Sequence, residues 1–327
     1  MKNNFFMAQR KSVFLLLCCV GAFQTAHAAY PEKPVRWIIP GAAGGAADAV
    51  ARIVATAVSA RWGQPIVIEN RPGATGSIAN DATAKATPDG YTLGEATMST
   101  YVMANHVLAR VPYKPKEDFT NLAKLCTSPY LLGVNTSLPV KSVSELIAYS
   151  KNKPDGLFYG SSGNGSSLHV VTELFRSSTG LKATHVPYKS VPASEMDLIG
   201  GQTQMMIGNF ATMAAHVQSG KLRALATTGA KRSPLLPNVP TMAEAGVPAA
   251  ELTTWIGVMG PAKLPAEIAN KIHVDFTSAI KDPKVIKQLA DIGCDAEPTS
   301  MEDFDRLVRS ENDKWSAVIK KNNISAD

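Results

Sequence analysis

The sequence predicts an α/β protein of two domains, each with a mainly parallel sheet flanked by helices. Three observations lead to this prediction. Of 327 residues, 45% are apolar and 18% are charged, a balance typical of a globular chain and unlike collagen, a coiled coil or a disordered chain. Short β-branched runs alternate with helical patterns over most of the length. Roughly 300 residues remain once the leader described below is removed, enough for two such domains.

Short runs rich in apolar and β-branched residues predict the strands. They are residues 35–39, 66–69, 91–93, 131–134, 157–159, 205–207 and 224–227. After the first strand, residues 46–62 predict a helix, because apolar residues from Val50 to Val58 recur at the i, i+3, i+4, i+7 and i+8 positions of one face. That face is expected to pack on a sheet.

Two further helix starts have the spacing of a capping box. In each, a serine is followed three residues later by an acid: Ser142 by Glu145, and Ser300 by Asp303. The second of these is expected to open a long C-terminal helix that continues through Trp315.

The N-terminus has the three parts of an export signal. These are the basic residues Lys2, Arg10 and Lys11, an apolar stretch at 13–20, and the small-x-small site Ala26-His27-Ala28. We expect cleavage after Ala28, so that residues 1–28 form a signal peptide. The formal net charge then falls from +6 to +3, because the leader carries three basic residues and no acidic one.

Two alternatives to a cleaved leader are weaker. A membrane anchor needs about 20 apolar residues, more than the uncharged run 12–26 provides. A lipid anchor at Cys18 or Cys19 is disfavoured because Leu17 and Cys18 stand where a small residue is expected.

Charge and cysteine content exclude several classes of function. Basic residues cluster only in pairs such as Lys231-Arg232, without interleaved aromatics, so nucleic acid is not expected as a partner. Cys126 and Cys294 are the cysteines left after cleavage, too few for a metal cluster. They are either bridged or two free thiols, since the sequence does not place their Cα atoms. We expect neither a metal nor a cofactor.

Two loops of small residues each follow a predicted strand and open a helix. The first loop covers residues 40–47 and the second residues 160–167, about 120 positions further on. A helix start offers free N–H groups and a partial positive charge, and neither loop contains Lys or Arg. The pattern predicts an anion site with neutral donors. We expect the loops to lie in different domains and to close on one small carboxylate.

Structural explanations compete with this hypothesis. Small residues at such a junction also permit tight packing of a helix on a strand. Asp48 favourably caps the first helix whatever the loop binds. His169 and Glu173 are spaced four residues apart and fit a surface pair better than a catalytic base.

Two enzyme readings are weaker. A dinucleotide site would need G-x-G-x-x-G, whereas the glycines stand at 41, 44 and 45. A serine hydrolase using Ser162 would need G-x-S-x-G, whereas Asn164 occupies the last position.

Motifs along almost the whole mature chain resemble one family. The chain is similar to the extracytoplasmic solute-binding proteins of tripartite tricarboxylate transporters, also called Bug proteins. The matching stretches are at residues 30–40, 43–45, 48, 51–52, 69–74, 88–93, 159–165, 185–189, 200–202, 221–226 and 237–241.

The resemblance implies a two-lobed, clamshell periplasmic binding protein. Residues 29–127 and 254–327 would form the first lobe and residues 128–253 the second, with the chain crossing near Ser128 and Thr253. Such proteins perform no chemistry. They deliver a carboxylate to a permease of two integral membrane subunits, and we expect a monomer.

The resemblance also implies the residues that bind the ligand. They are Ala43, Gly44, Gly45, Ala46, Ala47, Asp48, Thr97, Thr100, Ser161, Ser162, Asn164, Ser166, Ser167, His169, Lys189, Ser190 and Asn209. For Lys189, a structural role at the surface is the alternative.

Three departures from the family pattern bear on the ligand. Ala47 stands where a hydroxyl is common, Thr75 where glycine often repeats, and Gly208 where many members have an aspartate. An acid there could pair with an ammonium group, which is costly to bury alone. We therefore predict a dicarboxylate or other organic acid without an amino group, and an aromatic acid also fits. The same fold could instead present its ligand to a sensor protein.

Overall fold

Helices and strands alternate through the chain as the sequence predicts. The computed structural model describes residues 30–325. Lys33–Asp327 is one compact unit, and only residues 30–32 of the preceding unit, Met1–Glu32, are described. The predicted signal peptide, residues 1–28, therefore lies outside the described residues. Among the helices that are described, none is long and apolar enough to cross a membrane.

Ten strands and ten α-helices are described within residues 30–325. The strands are β1 (Val35–Ile39), β2 (Ile66–Asn70), β3 (Thr92–Thr97), β4 (Phe119–Asn135), β5 (Leu157–Ser161), β6 (Ala183–Pro187), β7 (Met205–Asn209), β8 (Leu222–Thr227), β9 (Thr253–Pro261) and β10 (Asp295–Ala296). The helices are α1 (Ala46–Trp62), α2 (Ser77–Ala84), α3 (Ala104–Val107), α4 (Val143–Asn152), α5 (Ser167–Thr179), α6 (Val191–Gly200), α7 (Phe210–Gln218), α8 (Ala266–Ala279), α9 (Pro283–Asp291) and α10 (Met301–Lys321). A π-helix, Met98–Met103, lies between β3 and α3.

The strands form one continuous sheet with two halves that share β4. Phe119–Pro129 of β4 pairs with β9, and Tyr130–Asn135 pairs with β7 and β8. The first half-sheet has the order β2-β1-β3-β9-β4, with β10 also on β4. The second half-sheet has the order β6-β5-β7-β4-β8.

The parallel pairing that the sequence predicts is found in the outer strands of each half-sheet, β2-β1-β3 and β6-β5-β7, and the other pairings are antiparallel. In the first half-sheet β9 and β10 run against the other strands, and in the second half-sheet β4 does. The division into lobes at residues 29–127 plus 254–327 and 128–253 stays a prediction.

Local signals predict the starts of three helices correctly. Helix α1 has the bounds that its apolar spacing predicts, and its buried face includes Val50. The side chains of Ser142 and Ser300 cap α4 and α10, accepting the N–H of Glu145 and Asp303 respectively. Both predicted N-caps are confirmed.

Strand β9 escapes prediction because both of its faces are buried. From Trp255 to Pro261 every residue is buried, so the polar and apolar alternation of a half-exposed strand is missing. Gly257 permits this close packing: a Cβ there would lie 2.5 Å from the ring of Phe304. The sequence pattern also did not predict β6, β10 or the first part of β4.

A disulfide bridge joins Cys126 of β4 to Cys294, next to β10. Their Cα atoms lie 5.7 Å apart, and 168 positions separate them along the chain. The sequence left the choice between a bridge and free thiols open. The bridge holds the short strand β10 against β4, with which it pairs.

Candidate ligand-binding site

A cavity of about 200 Å³ is lined by residues from both half-sheets. The starts of five helical segments contribute, namely α1, the π-helix, α5, α6 and α7, together with strands β3, β4 and β9. Its size suits a small metabolite better than a drug-sized molecule. The lining residues are Pro40, Gly41, Ala46, Ala47, Val50, Glu95, Thr97, Ser99, Thr100, Ser128, Pro129, Tyr130, Ser162, Ser167, Leu168, Val191, Asn209, Phe210, Ala211, Thr254, Ile256, Ile292 and Cys294.

The first loop offers main-chain donors at the start of α1. Gly45 is the N-cap residue and makes no side-chain cap hydrogen bond, so N–H groups of the first turn remain available. Ala46 and Ala47 line the cavity. Ala43, Gly44 and Gly45 are absent from its described lining. The small side chains leave space for a ligand near the helix start.

Asp48 holds the first loop in place. Its carboxylate accepts hydrogen bonds from the Gly44 N–H (3.0 Å), Arg52 Nε (2.9 Å) and Asn70 Nδ2 (3.0 Å). Burial opposes the charge, but the hydrogen bonds from Arg52, Gly44 and Asn70 outweigh it and lower the pKa of Asp48. Asp48 is not among the described lining residues, and these contacts give its side chain a structural role in shaping the loop.

We expect Asp48→Asn to destabilise the protein at pH 7, because hydrogen bonds to a charged acceptor contribute about 1.5–3 kcal/mol each. Since the pKa of Asp48 is lowered on folding, the folded chain binds this proton less readily than the unfolded chain. The stabilisation is therefore full above the ordinary value of 3.8 and is lost as pH falls through the lowered pKa. Calorimetry at pH 7 and pH 3 should show a smaller difference between variant and wild type at pH 3.

The matched control is Asp81→Asn. Asp81 forms an i,i+4 pair with a largely exposed Lys85 on α2, and such pairs contribute about 0–1 kcal/mol. Equal losses of stability in the two variants would contradict the role assigned to Asp48.

Two predicted threonines lie where β3 passes into the π-helix, and both line the cavity. Thr97 Oγ1 accepts the N–H of Thr100 at 3.1 Å and lies 2.9 Å from Thr100 Oγ1. Between them, Ser99 also lines the cavity, and its Oγ accepts the N–H of Ser167 at 3.4 Å. This contact connects the end of β3 to the start of α5.

The second loop divides its serines between two roles. Ser162 and Ser167 line the cavity. Ser166 caps α5 by accepting the N–H of His169 at 3.3 Å. Ser161 is fully buried, and its Oγ accepts the N–H of Gly163 at 3.1 Å. Ser161 and Ser166 therefore shape the loop, while Ser162 and Ser167 form part of the cavity wall.

Two stacked histidine rings support the second loop from behind. The rings of His169 and His185 lie 3.8 Å apart. Gly165 N–H donates to His169 Nδ1 at 3.0 Å, and His185 Nε2 lies 2.6 Å from Ser161 Oγ. Burial lowers the pKa of both histidines, that of His185 to about 4, so both are neutral at pH 7. The buried Ser161 is not accessible as a nucleophile.

Four residues predicted for the second lobe, Asn164, His169, Lys189 and Ser190, lie outside the described lining of this cavity. Asn164 is exposed and, with His169 and Glu173, lines a separate cavity beside the last described residues. Lys189 is exposed. Ser190 caps α6. Ligand binding by these side chains stays a prediction.

Asn209 lies at the start of α7, a third contributor from the second half-sheet. It is the N-cap residue of α7 and makes no side-chain cap hydrogen bond. Asn209, Phe210 and Ala211 all line the cavity. The amide of Asn209 and the free N–H groups of this turn add to the neutral donors.

Sequence reasoning missed lining residues on β3, β4 and β9. They include Glu95, Ser128, Tyr130 and Thr254. No local signal distinguishes them, because they lie within strands and not in glycine-rich loops. From the sequence, Gly208 is expected to remove an acid from the site. The cavity nevertheless contains a carboxyl group, that of Glu95.

The arrangement is suited to hold a small anion by neutral donors. Neither Lys nor Arg occurs among the described residues that line the cavity. Instead, N–H groups and hydroxyls stand at helix starts, where the peptide dipoles favour negative charge. Within residues 30–325, no group of three or more His, Cys, Asp or Glu side chains is placed to hold a metal ion.

Comparisons with known proteins agree with this geometry. Residues 50–324 match the family described as tripartite tricarboxylate transporter family receptor, TctC. Rpa4515 of R. palustris, solved with adipate, is 36% identical with a TM-score of 0.86, covering 90% of this chain and 99% of that one.

Two further solved structures are similar. MatC (Rpa3494) from Rhodopseudomonas palustris, with bound malate, is 30% identical with a TM-score of 0.82, covering 89% of this chain and 100% of that one. The periplasmic binding protein BugD is 28% identical with a TM-score of 0.84, covering 90% of this chain and 99% of that one. These relatives are solute-binding proteins and not enzymes, and they share the two-lobed α/β fold. The chain belongs to the tripartite tricarboxylate transporter receptor family of periplasmic solute-binding proteins.

Proposed function

We propose that this protein captures a small organic acid without an amino group, foremost a dicarboxylate, and delivers it to the two-subunit permease of a tripartite tricarboxylate transporter. In this proposal a cleaved leader, residues 1–28, exports the chain. The two lobes, residues 29–127 with 254–327 and residues 128–253, close on the ligand. The protein acts as a monomer.

The convergence of helix starts on one cavity carries this proposal. Ala46 and Ala47 belong to the first half-sheet's side, and Ser162, Ser167 and Asn209 to the second. Each helix start favours negative charge without a cationic side chain. A ligand with a carboxylate at either end would match donors from both sides.

Relatives support the same ligand class. Rpa4515 and MatC are described with adipate and malate, both dicarboxylates. The walls of the present cavity also include Val50, Leu168, Phe210 and Ile256, which would contact an aliphatic chain or an aromatic ring. An aromatic acid is therefore the second ligand to examine.

A thermal-shift panel tests the ligand class. It includes succinate, glutarate, adipate, malate, benzoate, aspartate and glutamate. An acid present at 100 times its Kd should stabilise the folded protein by about 2.7 kcal/mol, which raises the melting temperature by roughly 5 °C or more. We expect this shift with at least one acid that lacks an amino group. Stabilisation by the amino acids alone, or by no member of the panel, would contradict the proposal.

Delivery to a permease needs a separate test in cells. Deleting the gene should abolish uptake of the acid that the panel identifies. Normal uptake combined with a lost transcriptional response to that acid would instead favour presentation to a sensor protein.

A further inference from the structure

Glu95 occupies an unusual position on the wall of the ligand cavity. It lies in the middle of β3, opposite Val258 of β9, and is only 1% exposed. It nevertheless lines the cavity, on the same strand as Thr97. Residues two apart on a strand share a face, so Glu95 lies on the same face of β3 as Thr97, the N-cap of the π-helix.

The Glu95 carboxyl has no hydrogen-bond partner among residues 30–325. Neither of its oxygens makes a hydrogen bond with any described residue. A buried polar group without a partner is destabilising, and here the group lies on the wall of the candidate ligand cavity. The ligand is therefore the natural source of the missing hydrogen bond.

The charges around Glu95 disfavour its ionised form. The negative charge of Asp48 on α1 repels a negative charge on Glu95. Arg52, on the same helix, forms a salt bridge with Asp48. Tyr130 is the other titratable group in the described lining of the cavity, since Cys294 is bridged. Burial first, and the Asp48 charge second, raise the pKa of Glu95 to about 8.

Apart from Asp48, no charged group of residues 30–325 contributes to the raised pKa of Glu95. On β9, its partner Val258 and the next residue on the same face, Ile256, are apolar. Val50 of α1, another lining residue of the cavity, is apolar as well. At pH 7 the side chain is thus a neutral carboxylic acid, which has one O–H donor and keeps acceptor capacity.

We propose that Glu95 is a specificity-determining residue that recognises the bound organic acid as a neutral carboxylic acid, donating a hydrogen bond from its O–H to an oxygen of the ligand. This inference rests on the proposed function. It explains how a cavity with a buried glutamate accepts an anion: the proton stays on Glu95 when the ligand binds, and a hydrogen bond replaces what would be repulsion between two carboxylates.

The test measures affinity by isothermal titration calorimetry between pH 7 and pH 9.5. The probe is adipate or, if adipate does not bind, the panel acid with the largest thermal shift. If only the protonated protein binds, the apparent affinity falls with the protonated fraction. For a pKa of about 8, this gives a loss of roughly 30-fold over the interval.

Three variants test whether the loss of affinity at high pH is caused by ionisation of Glu95. Glu95→Gln keeps an N–H donor and cannot ionise, so its affinity should stay within about twofold across the pH range. Glu95→Leu removes the donor and should bind about tenfold more weakly than Glu95→Gln at pH 7. The matched control is Glu195→Gln, because Glu195 is buried but interacts with Thr212 and His216 outside the cavity. It should keep the wild-type pH profile.

The possible results distinguish failure of the Glu95 proposal from failure of the proposed function. A wild-type affinity that does not change with pH, or that rises with pH, overturns the proposal about Glu95 while leaving the proposed function intact. Loss of binding in Glu95→Gln with a normal melting curve also overturns it. If no acid of the panel binds, the proposed function fails and this inference fails with it. The wild-type pH profile needs no variant, so a misfolded variant does not prevent a decision.

Discussion

Ala47→Glu is expected to abolish ligand binding and leave the fold intact. Ala47 lies in the first turn of α1 and lines the cavity, so the new carboxylate would stand beside the bound anion. Two like charges about 4 Å apart repel by about 4 kcal/mol at an effective dielectric constant of 20, which corresponds to roughly a 1,000-fold loss of affinity. The fold tolerates the change because an acid near a helix N-terminus is favourable.

Ala47→Gln is the matched control, because glutamine has nearly the same size without the charge. It should weaken binding through lost space alone and therefore by much less. Calorimetric titration of both variants with the acid identified by the panel measures the difference. Equal affinities in Ala47→Glu and Ala47→Gln would mean that the anion does not bind near the start of α1.

The second large effect concerns the disulfide bridge. Replacing both Cys126 and Cys294 by serine removes a cross-link between positions 168 residues apart. Bridges that close long loops restrict the unfolded chain most, and their loss costs about 2–5 kcal/mol. For this chain we expect the melting temperature of the ligand-free protein to fall by roughly 10 °C.

Reduction of the wild-type protein provides an independent check. Dithiothreitol should lower its melting temperature to that of the double variant and should leave the variant unchanged. Thiol titration of the unfolded protein confirms that the bridge was reduced. A reduced wild type that melts at the original temperature would contradict a stabilising role for the bridge.

The sequence predicted the parts of the site that are built from backbone. Loops 40–47 and 160–167 can be recognised in the sequence because small residues, mainly glycine, alanine and serine, follow a predicted strand. Such residues permit a tight turn into a helix. Ala47, Ser162 and Ser167 line the same cavity as a result. Their neighbours Asp48 and Ser161 instead stabilise the loops, a distinction that depends on side-chain direction and not on spacing.

The rest of the site could not be predicted because it depends on how distant strands meet. Glu95 is a single acid in an otherwise ordinary strand. Its protonation state depends on its burial and on the nearby charge of Asp48, and the sequence shows neither. Tyr130 lies where β4 passes to its pairing with β7, and Thr254 reaches the cavity because β9 pairs with β4. That pairing joins residues more than a hundred positions apart and leaves no periodic trace in the sequence.

The continuity of β4 has a mechanical consequence. Because one strand runs through both half-sheets, rotation of one half against the other must change the backbone torsions near Pro129 and Tyr130, where the pairing partner changes. Both residues also line the cavity. A ligand bound in this cavity would therefore lie beside such a hinge, where a change in a few torsion angles would move the outer edges of the two half-sheets by a much larger distance.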